Sequence, residues 1–274
     1  MKFLNMQGSQ FPALGFGTWM LEGEACINAV RTALEIGYRH IDTAQMYGNE
    51  AEVGRAVAAS GIARTELFLT TKLWTSNLTS AKVTASMEES LSKLQTDYVD
   101  LLLIHWPEPS VPLSQTLHAM QELQRKGKVK HIGVSNFPVS WMREAVEKCR
   151  VQVACNQVEY HAMLSQKAVL EYARLHDIIV AAYRPLLKAQ LGNNSVLEKI
   201  GKQYGNTAGQ VALRWLIEQD SVAAIPKAAS EKNARLNFDI FDFALSQKDR
   251  KTIATLSNNT RTVNPGFAPQ WDAA

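Results

Sequence analysis

Eight polar residues each follow a short apolar segment of this sequence. They are Thr18, Asp42, Lys72, His105, Asn136, Gln157, Tyr183 and Lys227. A carboxylate, an amine and an imidazole can move protons and stabilise developing charge, and side-chain amides can bind a polar ligand. A single polar residue in such a position often marks only the start of a turn. Eight in succession, with an Asp, two Lys and a His among them, instead indicate an active site.

Two of these positions lie in distinctive runs. Asp42 and Tyr47 are five residues apart in a predicted strand-to-helix loop, and Asn49 is placed to cap the helix that follows. His105 ends a very apolar segment and is followed by Trp106. A lone His is more often structural, but one that leaves a strand beside a Trp would face a pocket.

The elements that must position these residues alternate along the chain. Apolar segments rich in β-branched residues predict strands, and segments with apolar residues at three- and four-residue spacing predict helices between them. The predicted strands are Ala13–Gly17, Arg39–Asp42, Leu67–Thr71, Tyr98–Ile104, Lys130–Val134, Val153–Val158, Ile178–Ala182 and Ser221–Ile225. Strands that alternate with helices pair in parallel, and eight such units close a (β/α)8 barrel, or TIM barrel, with its active site at the carboxyl ends of the strands.

An open doubly wound sheet is the alternative to a barrel. It normally carries a glycine fingerprint after its first strand, and the segment Gly15–Met20 has two of the three glycines. The barrel is therefore favoured. Around it we expect an N-terminal hairpin with a Gln7-Gly8 turn that closes the barrel bottom, and extra helices at Ser195–Gln203 and Gln247–Leu256. No linker interrupts the pattern, so we expect one domain over residues 1–274, ending in a short loop from Asn258.

Composition excludes several other classes of protein. Of the 274 residues, 46% are hydrophobic and 20% are charged, which suits a globular chain. The net charge of +3 and the lack of a basic stripe argue against nucleic-acid binding. Cys26, Cys149 and Cys155 are too few and too scattered for a disulfide framework or a metal site. No apolar stretch is long enough for a membrane span, so we expect a cytosolic protein.

Several longer motifs follow one another over nearly the whole chain. They are Leu14-Gly15-Phe16-Gly17-Thr18-Trp19, the Asp42–Tyr47 loop, Thr70-Thr71-Lys72-Leu73-Trp74, the His105 strand, Gly133-Val134-Ser135-Asn136-Phe137, Asn156-Gln157-Val158-Glu159-Tyr160, Ile225-Pro226-Lys227 and Pro269-Gln270-Trp271-Asp272. Together they resemble the aldo-keto reductases, specifically the bacterial group similar to diketogluconate reductases. The resemblance implies a monomer that reduces small aldehydes and ketones, including keto sugars and keto acids, with a hydride from NADPH. The short tail further suggests an open pocket and a broad substrate range.

The family's catalytic tetrad corresponds to Asp42, Tyr47, Lys72 and His105. Reduction of a carbonyl needs a proton for the developing alkoxide, and Tyr47 is the expected acid. A free tyrosine has a pKa near 10 and donates poorly at neutral pH unless its anion is stabilised. Lys72 would stabilise that anion, Asp42 would keep Lys72 charged, and His105 would hydrogen-bond the carbonyl oxygen.

The resemblance also assigns residues to the cofactor and the substrate. Those expected at the cofactor are Gly17, Thr18, Asp42, Ser135, Asn136, Gln157, Tyr183, Lys227, Lys232, Arg235 and Asn237. Ser135, Asn136 and Gln157 would bind the nicotinamide carboxamide, and the ring of Tyr183 would stack on the nicotinamide. Those expected at the substrate are Trp19, Tyr47, Trp74, His105 and Trp106, with the three Trp rings as cleft walls.

The chain departs from the family pattern at two places. Many relatives bind the adenosine phosphate of NADPH with a Lys-Ser pair and an Arg six residues after that Lys, whereas this chain has Ala228 and Asn233 there. Lys232 and Arg235, beside a helix start near Ser230, could substitute, so NADPH is favoured with weakened phosphate discrimination and NADH stays possible. The other departure is Arg184, where relatives carry a small residue. Its side chain would reach a substrate carboxylate, reach the cofactor pyrophosphate or point outward.

Two other functions compete with the reductase. Some relatives on this fold serve as redox sensors or structural proteins with vestigial catalysis, and the intact tetrad argues against that. A short-chain dehydrogenase also uses a Tyr and a Lys, but four residues apart on one helix. None of the seven tyrosines has a Lys at that spacing, so this reading is set aside.

Overall fold

The computed structural model describes residues 1–273, and the chain begins with the expected hairpin of strands β1 (Phe3–Met6) and β2 (Ser9–Pro12). Gln7 and Gly8 connect the strands with φ of 50° and 83°, the pattern of a tight hairpin turn that matches the strand twist. Phe11 is fully buried, and its ring lies 4.8 Å from that of Phe68, the first residue of a barrel strand. The hairpin therefore closes the bottom of the barrel, as predicted.

The predicted eight-stranded parallel barrel is confirmed. Its strands are β3 (Phe16–Gly17), β4 (His40–Asp42), β5 (Phe68–Leu73), β6 (Val99–Ile104), β7 (Val129–Ser135), β8 (Cys155–Glu159), β9 (Ile179–Tyr183) and β10 (Val222–Ile225), and each pairs with the next. The ring closes where Leu14 bridges Ala224, and the amide of Gly17 donates to the carbonyl of Pro226 at 3.0 Å. Closure pairs both edges of this eight-stranded sheet, and it gathers all eight carboxyl ends on one face.

Ten helices surround or extend the barrel in the described part of the chain. They are α1 (Gly23–Ile36), α2 (Glu50–Ala58), α3 (Ser80–Leu94), α4 (Leu113–Arg125), α5 (Val139–Arg143), α6 (Lys167–Leu175), α7 (Ser195–Tyr204), α8 (Ala208–Glu218), α9 (Glu231–Phe238) and α10 (Gln247–Ala254). The apolar stripes of α1 and α3 are buried as expected, and α8 begins with the capping box of Thr207 and Gln210. The extra helices near the C-terminus are α7 and α10. No helix over residues 1–273 is long and apolar enough to cross a membrane.

Strand register determines which side chains meet at the top of the barrel. Asp42 pairs with Thr70 on the neighbouring strand, and Lys72 lies two residues further along on the same face. Ser135 pairs with Gln157, and Glu159 pairs with Tyr183. The sequence ended the third strand at Thr71, whereas β5 continues to Leu73 because it pairs with β6 up to Ile104. The one-domain organisation stays a prediction.

Candidate active site

Lys72 lies at the centre of the polar cluster at the top of the barrel. Its side chain is 0% exposed, and Nζ donates hydrogen bonds to Asp42 Oδ1 at 2.6 Å and to the Thr43 carbonyl at 2.9 Å. A third bond runs from Nζ to the hydroxyl oxygen of Tyr47 at 3.3 Å. Burial alone would lower the pKa of Lys72, but the Asp42 carboxylate, with Tyr47, raises it above its usual value. The ammonium is therefore charged at neutral pH.

Tyr47 lies in a single 3₁₀ turn, Gln45–Tyr47, directly after β4. Burial raises the pKa of Tyr47, and the Lys72 ammonium opposes that rise by favouring the phenolate. The expected contact with Lys72 is thus present, but burial outweighs it, and the phenol keeps its proton at neutral pH. The ring lies 4.8 Å from that of Trp19 and 5.7 Å from that of His105.

His105 follows the last residue of β6, and its imidazole faces Tyr47 from across the cleft. Burial and the nearby Lys72 charge lower the pKa of His105 well below its ordinary value, so the ring is neutral. Its Nδ1 is buried without a hydrogen-bond partner among the described residues. The indole of Trp74 lies 5.2 Å away in an edge-on arrangement. A neutral ring of this kind can donate only from the nitrogen that carries its proton.

Side-chain amides and hydroxyls form a connected cluster beside this group. Ser135 Oγ donates to the Gln157 carbonyl at 2.8 Å, and Asn136 Nδ2 donates to the His105 carbonyl at 3.0 Å. The Tyr183 hydroxyl donates to Asn136 Oδ1 at 2.7 Å. Asn136 adopts a left-handed φ of 61°, a conformation that Asn tolerates better than most residues. The expected carboxamide-binding residues are therefore brought together with Tyr183.

Gln157 connects this amide cluster to Asp42. Its Nε2 donates to Asp42 Oδ2 at 2.7 Å, while Lys72 holds the other carboxylate oxygen. No described side chain or backbone amide donates to Gln157 Oε1, so that oxygen is free to accept from a carboxamide. The donor and acceptor set at this end of the barrel thus fits a nicotinamide.

The residues expected at the adenosine phosphate lie around the start of α9. Ser230 caps the helix by accepting from the Asn233 amide at 3.3 Å, and Lys227 and Lys232 are exposed beside it. Asn237 is buried on the inner side of the helix. Arg235 is exposed and bound to Glu231, with Nε 2.8 Å from Oε1. The helix start and its lysines fit a phosphate, but Arg235 already has a partner.

The loop that carries Trp19 is fixed by Asn49, which corrects the capping role predicted for that residue. The Asn49 side chain makes no bond to the first turn of α2. Its Nδ2 donates to the carbonyls of Thr18 and Leu21 at 2.9 Å each, and its Oδ1 accepts from Thr43 Oγ1 at 2.7 Å. Tertiary partners therefore use the side chain that local geometry would assign to the helix. Gly17 is buried at the end of β3, directly before this loop.

The structure adds three residues that the sequence does not single out for the site. Gln45 Oε1 accepts from the amide of Trp74 at 3.0 Å and so fixes that cleft wall. Phe267 of the tail contacts Trp106, whose own side chain is buried. Glu159 holds the start of the tail. Gln45 lies within the Asp42–Tyr47 run, and Glu159 lies within a quoted motif, but nothing in the sequence marks Phe267.

Comparison with known proteins gives a consistent result. Residues 13–258 match the model of the aldo/keto reductase family. The chain is 40% identical over 265 residues to methylglyoxal reductase DkgB of Escherichia coli O157:H7, covering 95% of this chain and 99% of the relative. It is 40% identical over 255 residues to glyoxal reductase of Bacillus subtilis strain 168, an alignment that covers 93% of this chain and 92% of that relative. A crystal structure of a protein assigned provisionally as 2,5-diketo-D-gluconic acid reductase B superposes with a TM-score of 0.96 at 44% identity, covering 100% of this chain and 98% of the other.

Proposed function

Because the chain belongs to the aldo/keto reductase family, we propose that it reduces small aldehydes and ketones, keto sugars and keto acids among them, to alcohols with NADPH. The predictions of the family and of a carbonyl-reducing oxidoreductase are confirmed. One observation carries the proposal for this chain. The buried Lys72 ammonium contacts both Asp42 and the Tyr47 hydroxyl, with the His105 ring across from them.

Tyr47 is the proposed proton donor. Its phenol holds a proton at neutral pH, and it gives that proton to the carbonyl oxygen as negative charge develops there. The phenolate left behind lies within hydrogen-bond reach of the Lys72 ammonium, which stabilises it. Asp42 keeps Lys72 charged and oriented, and the bond from Gln157 to Asp42 keeps the carboxylate in place.

His105 is proposed to position the carbonyl. Its Nδ1 has no partner in the described part of the chain, and an unpaired acceptor costs less than an unpaired N–H, so the proton belongs on Nε2. A neutral Nε2–H donates a hydrogen bond to the carbonyl oxygen without competing with Tyr47 as an acid. The walls around this point are Trp19 and Trp74.

NADPH, when bound, supplies the hydride, which no amino-acid side chain can deliver. Ser135, Asn136 and Gln157 are proposed to hold its carboxamide, with the Tyr183 ring against the nicotinamide. At the other end, the start of α9 with Lys227 and Lys232 is proposed to hold the phosphate. Gly17, Thr18 and Asn237 complete the set expected from the family pattern.

Replacement of Tyr47 by Phe tests the proposed acid. The variant keeps the ring packing against Trp19 but loses the proton, so turnover of methylglyoxal should fall about 100-fold or more. The measurement is the loss of NADPH absorbance, with binding of NADPH followed separately by fluorescence. Retained turnover would remove Tyr47 from its role. Binding without turnover of any carbonyl by the wild-type protein would instead favour the redox-sensor alternative.

The cofactor preference is tested by comparing kcat/KM for NADPH and NADH with one good aldehyde. We expect the proposed phosphate site at the start of α9 to favour NADPH over NADH. Because Arg235 is bound to Glu231 and does not add to that site, the preference should be only about 10-fold, the effect of roughly one charged contact. Glu231→Gln releases Arg235 and should increase that preference. A preference for NADH in the wild-type protein would contradict the NADPH proposal. A monomeric state and a cytosolic location stay predictions.

A further inference from the structure

The tail contains no helix or strand over residues 255–273, yet a buried carboxylate holds its first part. Glu159, the last residue of β8, is 0% exposed. Its Oε2 accepts from the Thr262 amide at 3.1 Å and from the Val263 amide at 2.9 Å. Its Oε1 accepts from the Thr262 amide at 2.9 Å and from the Thr262 hydroxyl. Glu159 thus binds the tail at the point where the tail reaches the active-site face.

These bonds keep Glu159 ionised. Burial would raise its pKa, but the bonds from His161, Thr262 and Val263 outweigh burial and lower the pKa to about 2. Hydrogen bonds to a charged acceptor are stronger than neutral ones, and a buried anion that lost them would be costly. The tail is therefore attached at Thr262 and Val263 by a strong contact rather than by loose surface packing.

The far end of the same segment is attached as well. Asp272 accepts through both carboxylate oxygens from the Val139 amide, at 3.2 and 3.0 Å. Between the two attachments, the Trp271 Nε1 donates to Asn264 Oδ1 at 2.9 Å. The guanidinium of Arg261, just before the first attachment, stacks 3.7 Å from the Trp271 ring. Residues 264–271 therefore form a loop with a closed base, which we call the tail loop.

Phe267 lies at the tip of the tail loop, above the catalytic group. Its ring lies 5.5 Å from that of Trp106 and 6.1 Å from that of Trp74, and the Trp74 ring is 5.2 Å from His105. Phe267 is 54% exposed, so its contacts leave much of its surface uncovered. We expect a carbonyl substrate at His105 to reach this surface when it carries an aromatic or other apolar substituent, and a two- or three-carbon substrate not to reach it.

We propose that Glu159 is a positioning residue that sets substrate selectivity, because it holds the tail loop where Phe267 completes an aromatic wall for apolar substituents. The proposal rests on the proposed carbonyl reduction. Arg184 supports the same contact, since its Nη1 donates to Thr262 Oγ1 at 2.9 Å. The three roles left open for Arg184 did not include this contact with the tail, which is the contact that the structure shows.

The test compares methylglyoxal with 4-nitrobenzaldehyde in Glu159→Gln, in Phe267→Ala and in the double variant. An amide at position 159 presents an NH2 group to backbone amides that need an acceptor, so the tail loop loosens. KM for 4-nitrobenzaldehyde should rise about 10-fold in each single variant, the size of one lost aromatic contact, with kcat within about twofold. Both constants for methylglyoxal should stay within about twofold. The double variant should match Phe267→Ala alone, because both changes remove the same contact.

Two further measurements separate this proposal from the proposed function. Hydrogen exchange of the Thr262 and Val263 amides needs no turnover, and both amides should be protected in the wild-type protein and exposed in Glu159→Gln. Thr262→Val keeps the Glu159 carboxylate and its bonds to the backbone amides, so this variant should fold even if Glu159→Gln does not. It removes only the hydroxyl bond to the carboxylate and should raise the KM for 4-nitrobenzaldehyde about threefold. Glu171→Gln, at an exposed helix position, is the control. Equal losses for both aldehydes, additive effects in the double variant or unchanged exchange would each overturn the proposal.

Discussion

Lys72→Met removes the ammonium while keeping an unbranched side chain of similar length in the same buried site. The wild-type Nζ lies 3.3 Å from the Tyr47 hydroxyl oxygen and 2.6 Å from Asp42. In the ground state the substitution removes a hydrogen bond to a neutral phenol. Once the proton has left, it removes the charge that faces the phenolate, so the variant should lose mainly transition-state stabilisation.

The size of that loss follows from the distance. Opposite unit charges 3.3 Å apart attract by about 5 kcal/mol at an effective dielectric constant of about 20. If that attraction is absent in the variant, kcat falls by a factor of about 5,000. The Asp42 carboxylate partly offsets the attraction in the wild-type protein, so we expect a fall of about 10³-fold.

Single-turnover reduction of methylglyoxal at pH 7 measures the effect, with NADPH binding followed by fluorescence. Removing Lys72 alone leaves the Asp42 carboxylate buried without its cation, which costs about 3–5 kcal/mol of stability. The pair Asp42→Asn with Lys72→Met removes both charges and serves as the folding control. Lys82→Met, at an exposed helix position, is the matched lysine control. A rate within about 10-fold of wild type in a folded, NADPH-binding Lys72→Met protein would refute the role of Lys72.

Two further predictions concern stability. In Gly133→Ala, the new Cβ would lie 2.5 Å from the Cys155 carbonyl oxygen and 2.8 Å from Leu103 Cδ2, so urea unfolding should show a loss of about 3 kcal/mol. Gly192→Ala meets nothing within 4 Å and should be nearly neutral, and equal effects at the two sites would contradict the packing of β7 against β8. Burial lowers the pKa of His40 to about 4. The unfolded chain, with a His pKa near 6.5, then binds the extra proton first, so stability falls by up to about 3 kcal/mol as the pH drops from 6.5 to 4. His40→Gln should flatten that part of the pH dependence, and an unchanged slope would show that His40 is not responsible.

Much of the fold was predictable because its signals are local. The apolar segments predict the strands to within a few residues, and the stripe of Cys26, Val30, Ala33 and Leu34 is buried in α1 as expected. The Thr207 capping box involves neighbours in sequence and forms as predicted. Strand ends were less certain, because the length of β5 depends on pairing with β6 rather than on its own residues.

Predictions from local geometry alone were less successful in the loops. Asn49 has the right position for a helix cap, but its side chain binds Thr18, Leu21 and Thr43. Arg184 has no sequence neighbour that determines its direction, and it reaches Thr262, which is 78 residues away. In both cases a distant partner competes with the local one, and only the folded chain decides which contact forms.

The sequence by itself determined the barrel and the family, and it predicted which residues would carry the chemistry, because parallel strands must bring their carboxyl ends to one face. The tertiary structure decided the charge and proton states of those residues. Lys72 is charged because Asp42 lies 2.6 Å away in a buried site, while burial keeps Tyr47 protonated and His105 neutral. It also decided that the Phe267 ring lies against Trp106 and that the buried carboxylate of Glu159 binds the tail at Thr262. Desolvation and long-range contacts exist only in the folded chain, so no local pattern could have shown them.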